Sequence, residues 1–563
     1  MSHVLMSVPF IDTHDRPTSE KLELIRPPEI LCQILHFAVG AAGRNALLPF
    51  AHISAQWRRA ALGDSSLWST IYLSQTPPPL LDMALACAGN QGLTVHADNR
   101  DLERHAKLWV LADRIEELYY SARLGDLAPF LASLGPAPNL KVLHIRPEPN
   151  VKGIEELMTY IAIPTIFSGR LPLLRNLALT HTAVWPAGLF RGLVSFECGN
   201  FDHFPLSPTH VLDVIRESPV IESLCLMGRC LPPQEPNQPA ISLPLLRKCT
   251  LVGDGTTSLI RFITIPTTAV MFLGRGYAND WIAFPEFNTL SVTPGLRVLD
   301  EISVISFSIG DHTARLQARN DHGGVLDVEA HGLYDLSGNP PAFISFIRNS
   351  FPCWRTCSGL KTIKEFTFCI ERDGIWRPHD TMRGLIDVAR LVDNLAGIEG
   401  AKFRGLPPLE LSSILSFFTL FPRVPTFKPQ YPNLKRLDIE SSPIRSPRLL
   451  LVELGKLLAA RKEAGAPLQS LTAKVRCEML IAPTDHCALL TAWEGLVGGV
   501  VRLEYERIEV KKLLWRRYRF YPEDHEGRDE EWGREADTGG LSDCVGWDGW
   551  PGKWPKTLEE MKG

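Results

Sequence analysis

Residue types that can do chemistry are present, but they do not assemble into a motif. Gly253-Asp254-Gly255 has two glycines of the kind that let a backbone approach a phosphate. It lacks the third glycine and the strand–helix frame of a dinucleotide turn, so nucleotide binding is not expected. Cys353 and Cys357 stand four apart and Cys225 and Cys230 five apart, and neither has a second pair at zinc spacing. Sixteen histidines are scattered, and the pairs Glu155-Glu156 and Glu559-Glu560 read as solvated faces. No Gly-x-x-x-x-Gly-Lys-Ser/Thr, Gly-x-Ser-x-Gly or His-Glu-x-x-His occurs. The expectation is a chain with no catalytic residue, no metal and no cofactor.

The scaffold carrying these residues is leucine- and proline-rich, with 78 leucines and 44 prolines among 563 residues. Hydrophobic residues make up 45% and charged residues 22%, enough apolar surface to offset chain entropy. A net charge of −4 gives no global field that favours nucleic acid or acidic membranes. No stretch approaches the roughly 18 apolar residues of a membrane span, and the start has no basic region ahead of an apolar core. Twelve cysteines spread from Cys32 to Cys544 are too sparse for a disulfide framework, and no Asn-x-Ser/Thr acceptor occurs. Reduced thiols in the cytoplasm or nucleus are expected.

Residues 1–20 read as disordered, and residues 21–75 as a small helical module. Pro27-Pro28-Glu29 opens a first helix, with proline tolerated in the first turn and Glu29 near the positive helix end. Ile30, Leu31, Ile34, Leu35 and Ala38 then recur at helical spacing, and Gly40 and Gly43 end the run. A second helix is expected from Ala46 to Leu62, with Leu47, Phe50, Ile53, Trp57 and Ala61 on one face. Gly63-Asp64-Ser65-Ser66 is a turn with an N-cap, and Leu67 to Leu73 leads out as a short helix or extended segment. So small a unit presents more apolar surface than its own core can use, as a docking module does.

Three segments carry a resemblance: Pro27-Pro28-Glu29-Ile30-Leu31 with Ile34-Leu35, then Ile53-Ser54-Ala55-Gln56-Trp57-Arg58-Arg59, then Leu67-Trp68-Ser69-Thr70-Ile71. In order and spacing they resemble the F-box, in its fungal F-box-like form. Arg26 stands where that family has leucine, and Ile53-Ser54 where it has Val-Cys. The resemblance covers about 50 residues. It implies docking onto a Skp-type adaptor, and through it a cullin, in a Skp–cullin–F-box ubiquitin ligase. The adaptor-binding residues it implies are Pro27, Pro28, Glu29, Ile30, Leu31, Ile34, Leu35, Phe50, Ile53, Trp57, Leu67 and Trp68. Trp57 and Trp68 are the expected energetic anchors, since buried aromatics dominate interfaces. The plainer reading is that these residues only close the three-helix core, and Trp57 is able to serve core and interface together.

Over residues 76–505 a short pattern recurs: apolar, two variable, apolar, one variable, apolar. It appears as Ile115-x-x-Leu118-x-Tyr120, Leu140-x-x-Leu143-x-Ile145, Leu174-x-x-Leu177-x-Leu179 and Leu193-x-x-Phe196-x-Cys198. It returns as Ile221-x-x-Leu224-x-Leu226, Leu246-x-x-Cys249-x-Leu251, Ile363-x-x-Phe366-x-Phe368 and Leu434-x-x-Leu437-x-Ile439, with Ala401 a fainter copy. Most steps, of about 20–35 residues, are those of strand-plus-helix repeats. The alternating end of each copy is a strand with one face buried. Helical spacing shows between copies, at Val211 to Glu217 and Leu449 to Leu458. The expected fold class is α/β, with the helical module followed by an irregular leucine-rich-repeat solenoid. Residues 254–345 fit the repeat poorly and read as inserted β-hairpins or divergent repeats with long strands, with runs at Ile302 to Ile309 and Ala314 to Val328.

Residues 506–563 read as a charged tail or cap. Lys511-Lys512 and Arg516-Arg517-Tyr518-Arg519 are basic, acids dominate from Glu523 to Asp537, and Trp515, Trp532, Trp547, Trp550 and Trp554 lie among glycines. The functional expectation is a substrate receptor that holds a client, of unassigned contact residues, near a ubiquitin-conjugating enzyme. Two alternatives stand beside it. One is an interaction scaffold with a diverged F-box, and the other an enzyme with its site in 254–345. Neither nucleic acid nor a membrane is an expected partner.

Overall fold

The computed structural model describes residues 27–42, 47–74, 76–98, 110–123, 135–148, 161–162, 166–169, 171–180, 182–199, 206–228, 230–231, 239–253, 255–275, 302–309, 313–331, 362–370, 397–406, 411, 414–415, 431–442, 447–477 and 482–507. The readings of residues 1–20, Cys353 and Cys357, and the charged tail beyond Arg507 fall outside these residues. The chain divides into two compact units. One holds the described residues up to Ser121 together with 137–140, and the other 122–123, 135–136 and those from Lys141 onward. The fold is mixed α/β, with seven α-helices among the described residues.

The first unit opens with α1 (Pro28–Ala42), α2 (Leu47–Ile53) and α3 (Ala55–Gly63). Leu31 and Leu35, one helical turn apart on α1, are buried together with Leu47 and Ala61. The single helix expected over Ala46 to Leu62 is two. Ser54 interrupts it in extended conformation and its hydroxyl accepts from the Trp57 N–H at 3.4 Å, capping α3. A 3-10 turn at Ser65–Trp68 leads into β1 (Thr70–Tyr72). The chain then runs through α4 (Pro78–Ala88) to β2 (Leu93–Asp98), and on to β3 (Ile115–Arg123). These strands pair in parallel, so that Ile71, Val95 and Leu118 lie side by side, fully buried.

In the second unit the strands are β4 (Val142–Glu148), β5 (Ile161–Ala162), β6 (Asn176–Thr180), β7 (Thr182–Val184), β8 (Ser195–Gly199), β9 (Ser223–Met227), β10 (Ile241–Ser242), β11 (Lys248–Val252), β12 (Ile263–Thr264) and β13 (Val270–Arg275). Then come β14 (Ile302–Ile309), β15 (Thr313–Asn320), β16 (Val325–His331), β17 (Glu365–Ile370), β18 (Gly400–Leu406), β19 (Arg436–Ser441), β20 (Ser470–Cys477) and β21 (Val500–Arg507). β5 pairs with β7 and β10 with β12. The others form one large ladder in the spatial order β4, β6, β8, β9, β11, β13, β16, β15, β14, β17, β18, β19, β20, β21. Every pairing is parallel except the two made by β15, and among the described residues the ladder does not close into a barrel. Parallel neighbours require crossovers. Among the described residues, three of these hold an α-helix of stated range: α5 (Pro208–Arg216), α6 (Arg448–Glu463) and α7 (Pro483–Glu494).

Register explains the recurring pattern. Its middle residues Leu143, Leu177, Phe196, Leu224 and Cys249 are successive partners across five strands. The same row continues through Met271, Leu326, Ala318 and Ile305 to Phe366, Ala401 and Leu437. Because side chains alternate along a strand, the row two residues on is buried as well, with Leu226 and Leu251 among its members. Phe366 meets Phe307 and Phe403 diagonally, two positions off the register, with tilted rings at centroid distances of 6.2 and 6.0 Å. Residues 254–345 supply β13 in the parallel ladder and the antiparallel group β14–β15–β16.

Two details fasten this stacking. Buried Arg461 on α6 donates from its guanidinium to the carbonyls of Tyr431 and Leu434, both at 3.0 Å, tying the helix to the turn ahead of β19. Gly253 has φ +109, and an added Cβ would overlap the Gly228 carbonyl of the preceding turn. Gly255 is placed likewise against the Cys230 carbonyl. The lone Gly-x-Gly is therefore a stacking requirement between successive turns.

Candidate docking surface

The helices of the first unit divide the residues singled out from sequence into two sets. Leu31, Leu35, Leu67 and Trp68 are interior, each at most 2% exposed. Trp68 sends its indole N–H to the Ala61 carbonyl at 2.6 Å, so its polar atom is satisfied within the module. Pro27, Pro28, Glu29, Ile30 and Ile53 are exposed, and Ile34, Phe50 and Trp57 are half-buried. Phe50 and Trp57 stack face to face with centroids 5.2 Å apart, which joins α2 to α3.

Two further apolar side chains are exposed, Phe37 at 80% and Leu62. The sequence signal for Phe37 is spacing. Ile30, Ile34 and Phe37 recur at four and three residues, beside the Leu31–Leu35 pair that faces inward. α1 therefore carries two apolar stripes, and the module's own interior takes one. Ile30, Phe37, Ile53 and Leu62 are thus four large apolar side chains left exposed on three short helices.

Polar contacts hold the module's shape. Asp64 caps the 3-10 turn through the Ser66 N–H at 3.1 Å, and its other oxygen lies 3.1 Å from His36 Nε2 on α1. Burial works to raise the Asp64 pKa, but the Ser66 hydrogen bonds and His36 outweigh it and leave the carboxyl lowered. Ser66 Oγ is also 3.1 Å from that same His36 Nε2 and donates to Asp64. Serine and aspartate thus meet one nitrogen, whereas a proton relay needs them on opposite ring nitrogens. The arrangement fastens α1 to the turn and does no acyl chemistry.

On the second unit, the face of the ladder opposite the buried rows carries charge mainly from β17 to β21. Glu365 pairs with Arg436, Arg404 with Glu440, and Lys474 bridges Glu440 and Glu506. Around β8 the same face is different. Glu197 sits between Ala178 and Cys225 with no hydrogen bond or ion pair among the described residues, and burial pushes its carboxyl up to about 7. Burial takes nearby His144 down to about 4, so its ring is neutral at neutral pH. Among the described residues no three His, Cys, Asp or Glu side chains converge as metal ligands, and no helix is long and apolar enough to cross a membrane.

No protein-family model matches the chain, and no curated protein matches it.

Proposed function

We propose that this chain is the substrate-receptor subunit of a Skp–cullin–F-box-type ubiquitin ligase. The helices α1–α3 dock a Skp-type adaptor, and the strand ladder, read as an irregular leucine-rich-repeat solenoid, holds a client protein. The observation that carries the reading is the pair of apolar stripes on α1. One closes the module, and the other, with Ile53 and Leu62, has no use in the module's own interior. The residue order resembling the F-box supports it, as does the register that sets the triplets centred on Leu143, Leu177, Phe196, Leu224 and Cys249 side by side. The mechanism is proximity: a tethered client presents its lysines at high effective concentration to a conjugating enzyme bound elsewhere in the assembly. The chain supplies no nucleophile.

The test uses exposed positions, so that folding and docking separate. Full-length chain with Ile30→Asp and Ile53→Asp is expected to melt as the wild type does. It is expected to recover adaptor and cullin from cell extract at least about tenfold less well, the loss of two interface contacts of about 1 kcal/mol or more each. Equal recovery by wild type and variant, or no adaptor recovered by the wild type, overturns the ligase reading in favour of a scaffold without ligase partners.

A further inference from the structure

The first three strands carry an aromatic ladder that the docking surface does not use. Tyr72, His96 and Tyr119 are register partners on β1, β2 and β3. Their neighbours along each strand, Ile71, Val95 and Leu118 on one side and Leu73, Ala97 and Tyr120 on the other, are buried. Alternation therefore points the three rings to the opposite face. There they stack nearly parallel. Tyr72 and His96 are 4.4 Å apart at 11°, and His96 and Tyr119 are 4.6 Å apart at 8°. The Tyr119 hydroxyl donates to Glu117 at 3.1 Å, and burial and that carboxylate push its pKa up to about 12, so it stays a donor.

We propose that this ladder binds the guanidinium of an arginine side chain from a partner protein, laid flat on the free face of Tyr72 as a fourth member of the stack. Three observations favour that occupant. Among the described residues β1 pairs with β2 alone, so no ring follows Tyr72 in the row, and Tyr72 is 37% exposed. The rows on either side place Thr70, Thr94 and Glu117 before the rings and Asp98 and Ser121 after them. The described side chains on this face thus include two carboxylates, which favour a cation over an anion. A guanidinium is planar and weakly hydrated, and stacks on tyrosine where an ammonium is held by hydration and makes only a point contact. The site lies on the strands and stands or falls independently of adaptor docking.

The test is fluorescence anisotropy of the full-length chain with the labelled peptide Gly-Gly-Arg-Gly-Gly-Arg-Gly-Gly, and with the same peptide carrying lysine or citrulline for arginine. The arginine peptide is expected to bind tighter than the lysine peptide, and the citrulline peptide, flat but neutral, weaker than both. Tyr72→Ala is expected to weaken the arginine peptide about three- to fivefold, the size of one exposed cation–π contact. Tyr72→Phe, which keeps the ring, is expected to bind as the wild type does. Equal affinity for the arginine and citrulline peptides overturns the proposal, as does a Tyr72→Ala chain of unchanged melting temperature that binds like the wild type. Preference for an oligouridylate or a proline-rich peptide over the arginine peptide also overturns it, assigning the ladder to a different partner.

Discussion

Glu197 is the side chain whose surroundings disagree most with its chemistry. It stands on a strand between two interior-facing residues, Phe196 and Cys198, both fully buried, and its own neighbours across the ladder are an alanine and a thiol. Burial raises its folded-state pKa from 4.5 to about 7. The sign follows directly. Below pH 4.5 the carboxyl is protonated whether the chain is folded or not, and the site carries no electrostatic cost. As pH rises toward 7 the unfolded chain releases its proton and the folded chain does not, so stability falls until the folded group ionises too. Glu197→Gln is expected to remove this slope. The variant should match the wild type in urea denaturation near pH 4 and exceed it near pH 8, by an amount bounded by roughly 3 kcal/mol. A gain of equal size at both pH values would mean that packing, not ionisation, sets the cost.

At the scale of elements, a leading leucine or isoleucine makes many of the strands legible, though not all: β20 follows buried Leu468 and is not among the copies of the triplet. Leu246 announces β11, and Leu434 announces β19, because each fills the turn ahead of its strand and is buried there. β13 and β16 have Thr268 and Gly323 in that position, so only register reveals Met271 and Leu326 as members of the same row. The break between α2 and α3 was hidden for another reason. The apolar spacing runs on through Ser54, and only its cap, a local hydrogen bond that competes with the helix, divides the run. The interior placement of Trp68 was equally illegible, because an anchor and a core tryptophan have the same spacing. Gly253-Asp254-Gly255 was legible as unusual but not as a stacking turn, since its reason lies in the carbonyls of residues 25 positions earlier. Gly253→Ala is expected to cost about 1–3 kcal/mol for the left-handed backbone alone, and more for the overlap with Gly228. Circular dichroism melting checks it, and a melting temperature within a degree of the wild type would show that the turns can part without loss.

The whole molecule constrains how its parts can be separated. α1–α3 share a compact unit with β1–β3, and Trp68, a core residue of the helices, stands three before Ile71, a core residue of the strands. Trp68-x-x-Ile71-x-Leu73 has the spacing of the repeating triplet, so the close of the helical module is also the opening of the strand series. A chain lacking residues 1–75 therefore loses β1 and uncovers the edge of β2. It is expected to aggregate or to lose protease protection as far as β3, where the Ile30→Asp, Ile53→Asp chain stays soluble and resistant. A soluble, monomeric truncation with intact protection would show that the strands stand without the helices. The shared triplet has an evolutionary consequence too. Helices whose last core residue, Trp68, also opens a strand triplet cannot be exchanged between proteins by a cut at their last turn. An exchange that keeps the triplet whole must carry a strand along with the helices, so the exchangeable piece is longer than the helices themselves.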